Sequence, residues 1–176
     1  MDLIISTDQF KLAEKLAFET FARFSRTKGH YNNTSDSHLR GKIGEIATST
    51  ALQELGFKVE NTYTDLDRMS EADLVVSGNL RIDVKTWNVE HWNEMGRCIS
   101  VDQIGKLEKK ADIIIWCISP NKLASGINVS VAGWNKVSEV RQAPRRLTGP
   151  KNGRKVENFQ FEVGAIRDIA DLQQLL

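Results

Sequence analysis

The feature that most constrains this chain is a predicted β-hairpin over residues 71–87, where the sequence reads E-A-D-L-V-V-S-G-N-L-R-I-D-V-K-T-W. Two short apolar runs flank residues 77–79, and the glycine and asparagine found there tolerate the positive φ angles of a tight turn. A fold-back centred near Gly78 places Asp73 on the first strand roughly opposite Asp83 on the second. The sequence therefore predicts that two carboxylates meet at one end of the hairpin.

Alternation along the second predicted strand gives the hairpin one charged face and one apolar face. Successive strand residues point to opposite sides, so Asp83 and Lys85 share one face. The other face carries Ile82 and Val84. Two carboxylates that lie close together repel each other unless a cation or a proton compensates. The hairpin is therefore a candidate metal site with an ammonium group beside it.

Length and composition predict a single domain over residues 1–176. The chain has 176 residues, of which 40% are hydrophobic, and a formal net charge of +1. This size suffices for one core, and the near-zero charge excludes a strongly basic binder of the histone kind while allowing a local basic groove. Cys98 and Cys117 have no metal-binding spacing, so we expect buried, reduced thiols.

No region of the sequence predicts export or membrane insertion. The N-terminus lacks a basic segment followed by an apolar core, and no apolar run approaches the roughly 20 residues that span a bilayer. We therefore expect a cytoplasmic, intracellular protein without a membrane partner.

Two helices are predicted before the hairpin. Apolar residues recur at helical intervals over residues 6–24, after a serine and a glutamine with capping-box spacing. A second helix is expected from residue 37 or 38 to residue 55, with Gly56 in the C′ position. Gly41 and Gly44 each cost this helix about 1 kcal/mol relative to alanine. We expect such glycines near a helix end or where another backbone approaches closely.

Glu45 lies on the predicted second helix but outside its apolar stripe. At 100° per residue, its side chain points roughly opposite that of Ile43, which belongs to the stripe. Taken alone, Glu45 is therefore an exposed helical glutamate, and any further role depends on neighbours from elsewhere in the chain.

The remainder of the sequence predicts a mixed sheet flanked by helices. A helix is expected over residues 102–110, followed by a strand buried on both faces over residues 112–118. Further strands are predicted at residues 57–60, 98–101, 128–134 and 159–163, with a short helix starting at residue 135 and a C-terminal helix in residues 166–176. The fold class is α/β, with a central mixed β-sheet.

One run of positive charge occurs at residues 141–155, which hold six basic residues, no acidic ones, two prolines and two glycines. This composition predicts an extended loop. The loop is either a solvated linker or a contact surface for phosphates.

The order of Glu45 on a helix, Asp73 opening a strand, and Asp83-Val84-Lys85 on the next strand resembles the signature of the PD-(D/E)XK nuclease superfamily. Ala72 stands where the family name has proline, a departure of little consequence because the proline binds no metal. The resemblance covers about residues 38–134. It implies a restriction-endonuclease-like core, with a central mixed sheet flanked by helices.

The resemblance also implies a divalent-metal-dependent endonuclease that hydrolyses DNA phosphodiester bonds, of the restriction, repair or junction-cleavage type. Mg²⁺, with Mn²⁺ as a substitute, would be bound by Asp73, Asp83 and the carbonyl of Val84, and Glu45 would bind a second ion or hold a metal-bound water. Lys85 would orient or activate the attacking water, or stabilise charge in the transition state. Members of the superfamily often use a polar residue from the following helix, where Gln103 and Lys106 are the candidates.

These residue types suit phosphodiester hydrolysis on chemical grounds. The substrate's own negative charge repels hydroxide, and a divalent cation neutralises that charge. Mg²⁺ prefers oxygen ligands and keeps several waters, so one or two carboxylates and a substrate phosphate suffice to bind it. An acidic pair beside a lysine therefore matches the reaction.

DNA contacts are expected from basic residues on both sides of the hairpin, and a homodimer is plausible because cutting two strands requires two sites. Such contacts should weaken steeply with salt. The candidate DNA-binding residues are Arg40, Lys42, Lys106, Arg145, Arg146, Lys151 and Arg154.

Three other interpretations remain open. The chain could be a catalytically silent nuclease-fold protein that binds nucleic acid as an accessory subunit, although such copies usually lose a signature residue. It could act on RNA, since nothing in the sequence indicates recognition of a 2′-hydroxyl. It could also carry only a surface hairpin with an Asp–Lys cross-strand pair, worth about 0.2–1 kcal/mol.

Overall fold

The computed structural model describes residues 1–24, 34–68, 71–149 and 155–175. Its strands are β1 (Asp2–Ile4), β2 (Val59–Glu60), β3 (Leu74–Val76), β4 (Leu80–Asn88), β5 (Cys98–Ser100), β6 (Ile113–Ser119), β7 (Asn128–Lys136), β8 (Arg145–Thr148) and β9 (Val156–Gln160). Its α-helices are α1 (Thr7–Phe24), α2 (Ser35–Glu54), α3 (Val89–Trp92) and α4 (Ile104–Lys110). Short 3₁₀ helices occupy Thr62–Thr64, Leu66–Arg68, Val137–Gln142, Val163–Ala165 and Ile169–Leu175.

The main sheet has six strands in the order β1-β7-β6-β4-β3-β2. Strands β4 and β6 are parallel, and the other neighbours in this sheet pair antiparallel. The prediction of an α/β fold with a mixed sheet flanked by helices is therefore confirmed. A separate antiparallel sheet has the order β5-β9-β8 and was not predicted. No helix in the described ranges has the length and apolarity needed to cross a membrane.

The β3–β4 hairpin forms where its turn residues predict it. Ser77 and Gly78 both have positive φ angles, of 51° and 88°, as a tight hairpin turn requires. Leu74 pairs with Ile82 across the hairpin, and the register continues to Asp73, whose amide donates to the Ile82 carbonyl at 2.8 Å. Asp73 therefore lies opposite Asp83, as the sequence predicts.

Helix α2 begins two to three residues earlier than predicted because Thr34 caps it. The Thr34 hydroxyl accepts from the Ser37 amide at 3.2 Å, and the Ser37 hydroxyl accepts from the Thr34 amide. The helix ends at Glu54, and Gly56 follows with a φ angle of +86°. The predicted C′ glycine is confirmed.

Gly44 allows α2 to approach β4 closely. A Cβ atom added at this position would lie 1.8 Å from the Thr86 hydroxyl oxygen on β4. Gly41, one helical turn earlier, has no neighbouring atom within 4 Å of an added Cβ. The expectation of a close backbone approach is thus confirmed for Gly44 alone, and this approach positions the adjacent Glu45 near the strands of the hairpin.

Both faces of the main sheet are covered. Helices α1 and α2 pack on the face that carries Ile82 and Val84, which join one hydrophobic cluster with Ile43 and Ile46. The opposite face carries a second cluster from β6, α4, the small sheet and nearby 3₁₀ turns, which includes Trp116. Parallel neighbours share a face, and Asp83 and Lys85 pair with Ile114 and Trp116, so the two charged residues lie on this second face.

The predicted loop at residues 141–155 is wrong for residues 145–148, which form β8 against β9. Arg145 gains partners there, because its guanidinium lies 3.6 Å from a Glu157 carboxylate oxygen and 5.2 Å from the centroid of the Phe159 ring. These partners come from β9, the next strand along the chain, and the composition of residues 141–155 alone does not show that pairing. The last strand also lies earlier than predicted, at Val156–Gln160.

The predicted C-terminal α-helix is a 3₁₀ helix at Ile169–Leu175. Only Ile169 and Leu172 of this segment are buried, and their three-residue spacing matches the period of a 3₁₀ helix. The short helix expected from residue 135 is likewise a 3₁₀ turn at Val137–Gln142. Strand β1 was not predicted, because three residues are too few to show a period.

Candidate active site

The structure brings Asp73 and Asp83 onto one cation, the ammonium of Lys110. Its Nζ lies 2.8 Å from Asp73 Oδ1 and 2.7 Å from Asp83 Oδ1. The Asp83 side chain is 2% exposed and that of Asp73 16%, so neither carboxylate is solvated in the way a surface group is. The hairpin carboxylates therefore share a positive charge that comes from the last residue of α4.

Lys85 makes a second ion pair with Asp83. Its Nζ lies 2.5 Å from Asp83 Oδ2, so each carboxylate oxygen of this buried side chain contacts a different ammonium group. Asp73 is held from the other side, because the backbone amide of Val84 donates to its Oδ2 at 2.8 Å. The D-x-K tripeptide and the opposing aspartate thus contact each other directly or through Lys110.

Electrostatics keep the Asp83–Lys110 pair ionised. Burial by itself would raise the pKa of Asp83, but the ammonium groups of Lys85 and Lys110 outweigh burial and hold that pKa below its usual value. For Lys110, burial opposes the charge, but Asp83 and Asp73 outweigh it and raise the pKa above the usual lysine value. Both members of the pair are therefore charged at neutral pH.

Glu45 lies beside this cluster but binds a different cation. Its Oε2 is 2.7 Å from the Nζ of Lys42, which also donates to the Tyr63 carbonyl at 3.3 Å. The expectation of an exposed glutamate is wrong, since the side chain is 12% exposed. Burial, followed by the charge of Asp73, raises the pKa of Glu45 to about 7. Glu45 was misjudged because α2 is buried around most of its circumference, including much of its polar side.

The carboxylates are of the ligand type that a hard divalent cation requires, but their present arrangement does not form a metal site. No group of three or more His, Cys, Asp or Glu residues among those described is placed to hold a metal ion. Asp73 and Asp83 nevertheless bind one cationic group through two oxygens, which is the ligand type that Mg²⁺ prefers. The pair fits Mg²⁺ provided that the Lys110 side chain moves aside.

Gln103 shares a cavity with Lys85. The cavity has a volume of about 330 Å³, and Gln103 reaches it from the N-cap of α4, where its side chain makes no capping hydrogen bond. Trp87 also lines the cavity, because alternation along β4 places it on the same face as Asp83 and Lys85. The described lining residues are Ser37, Lys85, Thr86, Trp87, Cys98, Ser100, Gln103 and Asn158.

Two predicted DNA contacts near α2 have other partners. Lys42 is only 5% exposed and its ammonium is bound to Glu45, so it is not available to a phosphate in this structure. Arg40 donates to the hydroxyl of Ser119 and to the carbonyl of Pro120 at 2.8 Å, which fixes the end of β6. Both residues support the fold where the sequence predicts an interface.

The remaining predicted contacts differ in availability. Lys106 is exposed on α4 and makes no ion pair with a described residue. Arg145 and Arg146 are paired with Glu157 and Glu162, so a phosphate would have to compete with these carboxylates. The other two, Lys151 and Arg154, lie outside the described residues.

Lys110 is the site residue that sequence reasoning missed. The sequence shows it only as one of several lysines on the polar faces of a helix. Its position follows from the parallel pairing of β4 with β6, in which Ile82 lies opposite Ile113. The residues just before β6 therefore lie level with the beginning of β4, beside Asp83. An interpretation of residues 80–119 as a βαβ unit would have predicted that Lys110 lies near Asp83.

Comparison with models of known protein families, with curated proteins and with solved structures finds no match. The arrangement itself offers three chemical capabilities: an aspartate pair that binds a cation, a lysine beside it that is 33% exposed, and an adjoining cavity. These capabilities are the basis on which a function can be argued.

Proposed function

We propose that this protein is a divalent-metal-dependent endonuclease that hydrolyses DNA phosphodiester bonds at the Asp73–Asp83 pair. The observation that carries the proposal is the bridging contact of Lys110, whose ammonium binds one oxygen from each aspartate at 2.7–2.8 Å. Two carboxylates placed to grip one cation, with Lys85 attached to the same Asp83, are the parts that such a hydrolase needs.

Each residue has a role in this proposal. Asp73 and Asp83 would hold Mg²⁺ or Mn²⁺, and the metal when bound neutralises charge on the phosphodiester. Lys85 is oriented by Asp83 and can place its ammonium against a phosphate oxygen where charge develops in the transition state. Glu45 adds a third carboxylate near Asp73, and the Val84 carbonyl is a further candidate ligand.

The finer fold assignment belongs to the same proposal. The order α2, β3–β4 hairpin, α4 and parallel strand β6 supports a restriction-endonuclease-like core, because it places a helical glutamate and the strand carboxylates at one end of β4. Cutting both strands of a duplex requires two such sites, so we propose that the active form is a homodimer.

The proposal is tested by incubating supercoiled plasmid with the protein and Mg²⁺. We expect the wild type to nick and linearise the plasmid, and Asp83→Asn and Lys85→Met each to lose at least about a hundredfold in rate. Lys109→Met makes the same substitution at an exposed lysine of α4 and should retain the wild-type rate. Cleavage that survives in both site variants would disprove the assignment of the site.

A second candidate function is a catalytically silent nucleic-acid-binding protein. It is favoured by the charge balance of the cluster, in which Lys42, Lys85 and Lys110 already neutralise Glu45, Asp73 and Asp83 without a metal. If plasmid, branched DNA and RNA all remain intact with every divalent metal while DNA binding persists, this function replaces the nuclease. Preferential cleavage of RNA would instead show that the substrate of the nuclease is RNA and not DNA.

A further inference from the structure

The cavity beside Lys85 contains recognition chemistry that phosphodiester cleavage does not require. Strand β4 contributes Lys85, Thr86 and Trp87 to one side, and the small sheet contributes Ser100 from β5 and Asn158 from β9. The cavity thus lies between the sheet that carries the proposed catalytic residues and the sheet that sequence reasoning did not anticipate. Its volume of about 330 Å³ is at the low end for small-molecule sites, which range over about 300–1,000 Å³.

Two residues that line this cavity have hydroxyl groups that are buried without a hydrogen-bond partner among the described residues. They are Ser100, which as a whole is 4% exposed, and Thr86, whose Oγ1 lies against Gly44 of α2. A buried polar group left unsatisfied costs about 1–3 kcal/mol, so such groups in a folded protein call for an explanation. A polar ligand in the cavity would satisfy the hydroxyl of Ser100.

The other lining groups define which ligand fits. Trp87 is half-buried, whereas the other three of the four tryptophans are at most 9% exposed, so it is the tryptophan that can offer a ring face to a ligand. Gln103 is exposed and offers an amide donor and an acceptor. Asn158 donates from its amide nitrogen to Thr148 and to the Val156 carbonyl, which leaves its Oδ1 as the group to offer.

Other ligand classes match these groups less well. A metal ion would need deprotonated ligands, and burial raises the pKa of the Cys98 thiol to about 11. A free anion would contact one cationic lining residue, Lys85, and would leave the Trp87 ring and the amide groups of the cavity without a partner. An aromatic face combined with amide and hydroxyl groups is the combination by which proteins bind unstacked nucleobases.

We propose that this cavity receives one unpaired nucleobase, stacked on Trp87 and hydrogen-bonded by Ser100 and Gln103, while the phosphate of that nucleotide lies at Lys85. The inference rests on the proposed nuclease function and names its substrate class. The preferred substrate is DNA with an unstacked nucleotide, such as a flap, an end or a bulge, and not an intact duplex.

The inference is tested by binding in EDTA, which separates recognition from cleavage. The probes are two duplexes of the same sequence, one with a bulged, unpaired 2-aminopurine and one in which 2-aminopurine is paired. We expect the bulged duplex to bind roughly five- to a hundredfold more tightly, which is the range that stacking of one base supplies. Tryptophan fluorescence should be quenched on binding in the wild type and not in Trp87→Leu.

Matched variants assign the effect to the cavity. Trp87→Leu keeps an apolar side chain but removes the aromatic ring, and it should lower the preference for the bulged duplex towards unity, provided that circular dichroism shows a native fold. Gln103→Ala is at an exposed position and should also reduce the preference for the bulged duplex, with the native fold again checked by circular dichroism. Gln142→Ala, at an exposed position away from the cavity lining, should change neither affinity.

The outcomes separate this inference from the function on which it rests. Equal wild-type affinity for both duplexes, or a preference unaltered in Trp87→Leu and Gln103→Ala, would overturn the nucleobase site and leave the nuclease proposal standing. Failure to bind either duplex, together with failure to cleave plasmid, would overturn both.

Discussion

Lys110 Nζ and Asp83 Oδ1 lie 2.7 Å apart, and this contact joins the end of α4 to the start of β4. The same ammonium reaches Asp73 at 2.8 Å. Removal of Lys110 would leave two carboxylates facing each other in a largely buried position, which is costly because Asp73 loses its ion pair and Asp83 keeps only Lys85. The Lys110 side chain therefore occupies the place at which the proposed metal ion would bind, and this overlap gives the first two predictions.

Replacing Lys110 with methionine should destabilise the protein in EDTA by about 3 kcal/mol, since breaking a buried ion pair by removing one partner costs about 3–5 kcal/mol. Lys109→Met is the matched control, because Lys109 is exposed and its substitution should stay within about 0.5 kcal/mol. Urea denaturation of the two variants measures the difference. Equal stability of the two variants would show that the bridging contact does not hold the site together.

Mg²⁺ should restore stability to Lys110→Met more than it stabilises the wild type. A ligand that binds only the folded state raises the free energy of unfolding in proportion to the logarithm of its concentration over its dissociation constant. In the variant, the Lys110 ammonium no longer competes for Asp73 and Asp83, so the metal should bind more tightly. Isothermal titration calorimetry and urea denaturation with and without Mg²⁺ check this. A double variant Lys110→Met/Asp83→Asn should lose the response, and a response that persists there would place the metal elsewhere.

The hairpin could be predicted from sequence because every determinant is local. The turn residues fix where the chain folds back, and alternation then fixes that Asp83 and Lys85 share a face. The positions of Lys110 and of β8 could not be predicted in this way. The position of Lys110 depends on the pairing of β4 with β6, and β8 pairs with β9, whose other neighbour is the distant strand β5.

Glu45 illustrates a different limit. Its angular position on α2 was obtained correctly, but angular position does not report which other elements cover that side of a helix. Lys42, which lies one turn earlier, is buried against Tyr63 and Glu45 for the same reason. The position of a charged residue outside an apolar stripe therefore describes the helix alone. It does not show whether other parts of the fold bury that residue.

The raised pKa of Glu45 predicts how stability depends on pH. The folded-state pKa of about 7 lies above the ordinary value of 4.5, so the folded protein binds the extra proton between these values. The contribution of Glu45 to stability is therefore fully present below about pH 4.5 and is lost as the pH rises through about 7. Glu45→Gln cannot titrate, so the free energy of unfolding of the wild type should fall relative to this variant between pH 5 and pH 8.

Urea denaturation in EDTA at several pH values measures this difference. The comparison with Glu45→Gln removes the contributions of groups that both proteins share, such as His38, whose own pKa is lowered by burial and by Lys42. A difference that stays constant over this pH range would mean that Glu45 ionises at its ordinary pH and is not desolvated.

The close approach of α2 to β4 predicts opposite effects for two glycine substitutions in one helix. Gly44→Ala places a methyl group 1.8 Å from the Thr86 hydroxyl oxygen, so α2 must move away from β4, and such overpacking costs about 1–3 kcal/mol or more. Gly41→Ala meets no atom within 4 Å and should stabilise the protein by up to about 1 kcal/mol, because alanine favours the helix. Thermal and urea denaturation measure both changes. If the two variants shift stability in the same direction, α2 does not pack on β4 through Gly44, and the position of Glu45 beside Asp73 loses its structural basis.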